Sequence, residues 1–279
     1  KSSVASRDFE VNDSGTTIST GTSASGKWVD LNFTGSLTKI SGTNGWNVAA
    51  IRIDDQILTD ASVASTYRAN PNTGFSIVKW TGPGSGSSTV AHGLNAAPKF
   101  IIVKGLSGSV GWTVGHEDIG WTKRLKLNTN DQTSTSSNYW NDTAPTSSVF
   151  SSGANNVSND FIAYCWSEVS GYSKFGSYTG NGSTDGPFVW CGFKPAFLLV
   201  KSTSYAGNWL IADSTRSSDN VVDEILRGNT DGAETDSDYF DFLSNGFKLK
   251  HTYSGLNSNG ESLVFAAFAE SPFKYSNAR

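Results

Sequence analysis

Apolar residues in this chain fall in short runs separated by clusters of Gly, Ser, Asn and Asp. Phe100-Ile101-Ile102-Val103 and Phe197-Leu198-Leu199-Val200 are unbroken, which suits a helix turn or a strand buried on both faces. Their brevity, their β-branched members and the proline just upstream of each decide for strand. Trp28-Val29-Asp30-Leu31-Asn32-Phe33 and Ala49-Ala50-Ile51-Arg52-Ile53-Asp54 alternate apolar and polar positions, as half-buried antiparallel strands do. Asn-Gly and Asp-Gly pairs, which supply positive φ in hairpin turns, begin at Asn44, Asn181, Asp185, Asp231, Asn245 and Asn259. The clearest hairpin places Asn245-Gly246 between Tyr239-Phe240-Asp241-Phe242-Leu243 and Phe247-Lys248-Leu249-Lys250. One short helix is predicted, Asn220–Leu226, where Val221, Val222, Ile225 and Leu226 share a helical face behind an Asp219 cap.

The pattern occurs twice. Phe75-Ser76-Ile77-Val78-Lys79-Trp80-Thr81-Gly82 aligns with Ser173-Lys174-Phe175-Gly176-Ser177-Tyr178-Thr179-Gly180, and a Gly/Ser loop follows each. Pro98 and Pro195, Lys104 and Lys201, and Trp112 and Trp209 keep one offset of 97 residues. The ends match as well, Tyr164-Cys165-Trp166-Ser167-Glu168 against Ala266-Ala267-Phe268-Ala269-Glu270. Units of this size are domains rather than solenoid repeats, whose period is ~20–50 residues. The expectation is an all-β protein with two tandem, related β-sandwich or jelly-roll-like domains, 73–173 and 174–279. A small β module and linker, 1–72, precedes them, with Ala61–Thr73 as the linker.

Composition agrees with this reading. Charged side chains make up 16% of the 279 residues, against ~25% in an average soluble protein. Ser, Thr and Gly fill the deficit, and they disfavour long helices, which excludes bundles, coiled coils and doubly wound nucleotide-binding folds. Disorder is excluded by 9 Trp, 9 Tyr and 16 Phe. A net charge of −4 and a pI near 5.4 give no basic footprint for nucleic acid. No apolar run approaches the ~18 residues of a membrane span. With Lys1 first and no Met, the sequence reads as a fragment or processed product of a longer polypeptide. Cys165 and Cys191, each inside an aromatic strand-like run, read as buried, reduced thiols rather than a disulfide framework.

Two longer stretches, Trp140-Asn141-Asp142-Thr143-Ala144-Pro145-Thr146-Ser147-Ser148-Val149-Phe150 and Gly171–Gly182, carry a resemblance. Asp241-Phe242-Leu243-Ser244-Asn245-Gly246-Phe247 and Pro272–Arg279 add to it. Over roughly 73–279 the chain resembles an uncharacterised C-terminal domain of tail-fibre-like virion proteins of tailed bacteriophages, many infecting marine cyanobacteria. The resemblance implies a virion location, other virion subunits as partners, and no catalytic residues to carry over. By analogy with phage fibres it also implies a homo-oligomer, a trimer if the chain belongs to a fibre. The expected role is a non-enzymatic tail fibre or appendage protein in host attachment. The alternatives are a capsid or tail decoration or connector protein and a glycan-cleaving fibre domain.

Candidate chemistry is sparse. The three histidines, His92, His116 and His251, show no zinc-ligand spacing, so neither metal nor cofactor is expected. His116-Glu117-Asp118 reads as a polar loop, with an acid/base or metal site as the alternative. Glu168 and Glu270 hold equivalent places; each reads as capping a strand end or pairing with Lys174 or Lys274, with a glycosidase carboxylate pair as the weaker reading. Asp231–Asp238 reads as a solvated acidic loop, with a calcium site as the alternative. Trp112, Trp209, Trp80 and Trp190 read as core. Trp121, Tyr139 and Trp140 stand in polar surroundings without an aromatic counterpart in the second repeat. They are the candidate ligand-binding residues for a host glycan or a partner surface, with a structural role as the alternative.

Overall fold

The computed structural model describes 61–84, 86–107, 109–153 and 158–270 with their side chains, and backbone strands at 7–13, 16–23, 39–42, 51–53 and 56–58. Two units result, Lys1–Ile53 and Asp54–Arg279. In the first, β1 (Arg7–Asp13) pairs antiparallel with β2 (Thr16–Ser23) and β3 (Lys39–Gly42), and β4 (Ile51–Ile53) follows. The strand expected at Trp28–Phe33 lies outside the described residues, and β4 falls within the one expected at Ala49–Asp54.

The second unit contains β5 (Gln56–Leu58) and then β6 (Ser65–Asn70), which corrects the linker expected at Ala61–Thr73. β6 is an edge strand paired with β7 (Phe75–Thr81), Tyr67 opposite Val78. Polar composition hid its period of two, in which Ser65, Tyr67 and Ala69 turn inward and the residues between turn out.

The first repeat continues with β8 (Ser88–Ala91), β9 (Phe100–Gly105), β10 (Trp112–His116), β11 (Lys123–Lys126), β12 (Ser134–Thr135), β13 (Val149–Ser152) and β14 (Asp160–Trp166). Its sheet runs β6-β7-β14-β9-β10-β11-β12, and β8 pairs separately with β13. The second repeat holds β15 (Ser173–Thr179), β16 (Phe188–Trp190), β17 (Phe197–Ser202), β18 (Leu210–Asp213), β19 (Val222–Arg227), β20 (Thr235–Leu243), β21 (Gly246–Leu249) and β22 (Ser262–Phe268). Its sheet runs β15-β22-β17-β18-β19-β20-β21-β16. The series β7-β14-β9-β10-β11 and β15-β22-β17-β18-β19 therefore share one order, so the offset of 97 is a structural repeat. In the second repeat the pairing of β19 with β20 joins both layers into one curled sheet. The described helices are short: α1 (Ser137–Trp140), α2 (Ser254–Asn257) and a 3-10 turn at Glu117–Ile119. The protein is all-β.

The helix expected at Asn220–Leu226 is instead β19. A bulge between Val222 and Glu224 rephases the strand, so Val222 and Ile225, three apart, are both buried. That spacing imitates a helical face. Asn220 substitutes for a strand residue, with its Oδ1 accepting from the Phe242 N–H at 2.8 Å and its Nδ2 donating to the Phe242 carbonyl at 3.0 Å.

The unbroken apolar runs are explained by two-sided burial. Ile101 faces the first repeat's core with Val78, Val90, Phe150 and Phe161. Phe100 and Ile102 face the other way, into a cluster shared with Phe175, Leu199, Trp209 and Val264 of the second repeat. Leu198 and Val200 serve the second repeat's own core, beside Phe240, Phe247 and Phe265. Polar bonds cross the same boundary: Trp209 Nε1 donates to the Lys126 carbonyl at 2.8 Å, and the Thr133 N–H to the Thr203 carbonyl at 3.0 Å. Each large side chain so buried contributes about 1.5–3 kcal/mol, so the repeats hold one another in place.

Candidate functional site

Trp121 and Trp140 lie in the core of the first repeat, edge to face with ring centroids 5.3 Å apart. A side chain on Gly115 would come within 2.5 Å of Trp121 and 2.7 Å of Trp140, so this glycine opens the space both rings occupy. Tyr139 packs against the same core, with the Arg124 guanidinium 3.6 Å from its ring centroid. The two tryptophans are buried, and Tyr139 is partly buried with one cation already over its ring. Their polar neighbours in sequence belong to the turns that carry them, and the structural alternative fits their placement.

The exposed rings are elsewhere. Trp190, expected in the core, is 59% exposed, and Phe188 is 46% exposed. On β16 the alternation Phe188-Val189-Trp190 buries only Val189, so both rings stand on the outer face. Neither projects freely. A Cβ on Gly246 would sit 3.0 Å from Phe188 Cζ, and one on Gly192 3.0 Å from Trp190 Cζ2. Each ring therefore rests against a glycine while much of it stays exposed. Gly192, at φ +83°, also needs its freedom for the backbone. Val189 opposes Phe247 as Val90 opposes Phe150, and the two phenylalanines are related by the offset of 97. The first-repeat counterparts of Phe188 and Trp190 are thus Thr89 and Ala91. The fold does not require rings at these positions.

β15 and β16 are the two edge strands of the curled sheet, and both line one groove of about 380 Å³. Lys174–Tyr178 come from β15 and Phe188–Trp190 from β16, while Lys99, Glu117 and Asp118 come from the first repeat. Lys99 Nζ lies 2.9 Å from Glu117 and 3.6 Å from Glu168, and Lys174 Nζ lies 3.0 Å from Glu168. The hydrogen bond that Lys99 donates to Glu117 holds the lysine's pKa above its ordinary value. The Lys174 ammonium is also 5.8 Å from the Trp190 ring centroid. Asp118 has no cation within ion-pair distance among the described residues. Three carboxylates thus face two ammonium groups, leaving one negative charge.

His116 does not join this chemistry. It is buried, its Nδ1 accepting from the Asp118 N–H at 3.1 Å, and burial lowers its pKa. The imidazole folds the turn that presents Glu117 and Asp118 to the groove. Glu168 is held by Lys174, as expected, and by Lys99, and Glu270 is exposed and does not line the groove. Lys274 lies outside the described residues. In the acidic stretch, Glu234 pairs with Arg216 at 2.8 Å and Thr235–Asp238 belong to β20. Among the described residues no three His, Cys, Asp or Glu side chains are grouped to hold a metal ion.

The groove residues Phe188, Trp190 and Lys99 went unassigned in the sequence because strand-like apolar runs read as core. One signal was available: Val189 is flanked by two rings and Trp190 is followed closely by Gly192, a pattern of one buried and two outward side chains. No curated protein and no solved structure matches the chain. A family described as a domain of unknown function (DUF7483) matches residues 7–272, across the first unit and both repeats. The chain belongs to that family.

Proposed function

We propose that this chain is a non-enzymatic surface protein of a tailed-phage virion, in a tail fibre or appendage that contacts the host. The virion location rests on the resemblance carried by Trp140–Phe150, Gly171–Gly182 and Asp241–Phe247. The recognition role is carried by one observation: an exposed pair of rings, absent from the sister repeat, beside a charged groove. Binding suits this groove better than glycan cleavage, since Glu117 and Glu168 are both committed to lysines and only Asp118 is left unpaired. The chain works in this reading as a homo-oligomer among other virion subunits, threefold if in a fibre. Antibodies raised against the purified chain should label intact virions and block their adsorption. Labelling without blocking would favour a decoration or connector role, and no labelling would end the virion reading.

A further inference from the structure

We infer that the groove between β15 and β16 is a binding site for an uncharged saccharide. The inference names the ligand of the surface on which the proposed function relies. A sugar ring presents a flat patch of C–H bonds on one face and hydroxyls around its rim. The exposed Trp190 ring, resting against Gly192 and with the Lys174 ammonium 5.8 Å from its centroid, offers the matching apolar plane beside a donor. Phe188 extends that plane along the strand, two residues away and on the same side. The rim hydroxyls need acceptors and donors. Asp118 supplies a carboxylate that no lysine neutralises, suited to two adjacent hydroxyls, while Lys174 and Lys99 supply ammonium donors. The unbalanced negative charge disfavours acidic ligands and leaves hydroxyl-rich uncharged ones. A volume of about 380 Å³ lies at the small end of ligand sites, typically ~300–1,000 Å³, and fits one or two sugar units.

The test uses the full chain with methyl glycosides of glucose, galactose and mannose, and glucuronic acid as the acidic comparison. Saturation-transfer NMR and tryptophan fluorescence titration read the binding. At least one uncharged glycoside should bind, and Trp190→Ala should weaken it about tenfold or more. That variant installs the first repeat's own residue, Ala91, so it should fold, and an unchanged melting temperature checks this. Asp118→Asn should weaken binding while leaving fluorescence in the absence of sugar unaltered. Binding of glucuronic acid alone, binding undiminished in Trp190→Ala, or no binding of any of these sugars would each overturn the inference. Virion adsorption is scored separately, so failure of the sugar assay and failure of the attachment role are distinguishable.

Discussion

His116 on β10 and Phe265 on β22 are joined across the two repeats by a hydrogen bond of 3.1 Å from Nε2 to the carbonyl oxygen. The tautomer follows from the other nitrogen: Nδ1 accepts the Asp118 N–H, so Nε2 carries the proton and donates it. His92 uses the same arrangement, its Nδ1 accepting from the Leu94 N–H at 3.2 Å and its Nε2 meeting the Thr146 carbonyl at 3.2 Å. Asp213 takes the place of His116 in the second repeat, its Oδ1 accepting from the N–H groups of Thr215 and Arg216. The histidines are turn-formers that also tie distant strands together.

These two imidazoles make the protein acid-sensitive above the range where carboxylates titrate. Burial lowers the pKa of both, that of His92 to about 4. The unfolded chain takes up these protons near 6.5, the fold only further down, so stability falls as pH drops through that window. For His92 the full loss is on the order of 3 kcal/mol by pH 4. Urea midpoints measured at pH 7 and pH 4.5 should show the drop. The double variant His92→Asn, His116→Asn keeps a turn acceptor at each site and should flatten it.

Trp140 is 2% exposed, and its Nε1 has no hydrogen-bond partner among the described residues. An unsatisfied buried donor costs about 1–3 kcal/mol, close to what the lost ring area of a smaller aromatic would cost. Trp140→Phe should therefore change stability by less than about 1 kcal/mol, whereas Trp140→Ala should lose about 3–5 kcal/mol. Chemical denaturation of both variants checks the contrast. Saccharide binding should survive Trp140→Phe, because this ring is core.

The sequence made the repeat, the strands β9 and β17, and the hairpin of β20 and β21 legible, since each follows from local pattern. The hairpin turn itself is Ser244-Asn245, with Leu243 opposite Gly246, one residue earlier than the Asn-Gly pair suggests. Gly246 is needed for another reason: a side chain there would collide with the Val189 carbonyl at 2.1 Å. Which tryptophans are buried was not legible, because burial depends on which glycine each ring packs against in the fold. Gly115 admits Trp121 and Trp140 to the interior, while Gly192 and Gly246 seat Trp190 and Phe188 outside. The groove is composite: Lys99, Glu117 and Asp118 come from the first repeat, Lys174, Phe188 and Trp190 from the second, and no local window contains them all.

Cys165 and Cys191 are buried and unbonded to each other. Burial pushes both thiols up, Cys191 to about 12, so neither is a thiolate at neutral pH. Iodoacetamide at pH 8 should leave the native chain unlabelled and modify both cysteines after denaturation, read by intact mass. Cys165 opposes Ile101 as Ala267 opposes Leu198, so Cys165→Ala installs the sister residue and should cost on the order of 1 kcal/mol. By partner register the counterpart of Cys191 is His92 rather than Ala91.

Lys201 is fully buried, where a cation carries a desolvation cost that its partners only partly offset. Its Nζ donates to the Ser202 carbonyl at 2.9 Å and more weakly to those of Asn130 at 3.4 Å and Tyr205 at 3.5 Å. The Asn130 contact crosses from one repeat to the other. Its counterpart Lys104 likewise donates to a loop carbonyl, that of Val110, so the position fixes the loop after the strand in both repeats. Burial lowers the Lys201 pKa to about 8. Between that value and the ordinary value near 10.5 the unfolded chain holds a proton that the folded chain has released. Stability from this residue must therefore rise with pH across the window. From pH 8 to 9.5 this contribution should be about 1–2 kcal/mol, opposed in the whole chain by Cys165 and Cys191, whose thiols ionise in the unfolded chain and not in the fold. Lys201→Met keeps the apolar stem and removes the titrating group, so over this range its stability should fall relative to the parent chain's by that amount. An identical pH dependence in Lys201→Met and the parent chain would place the titration on another group.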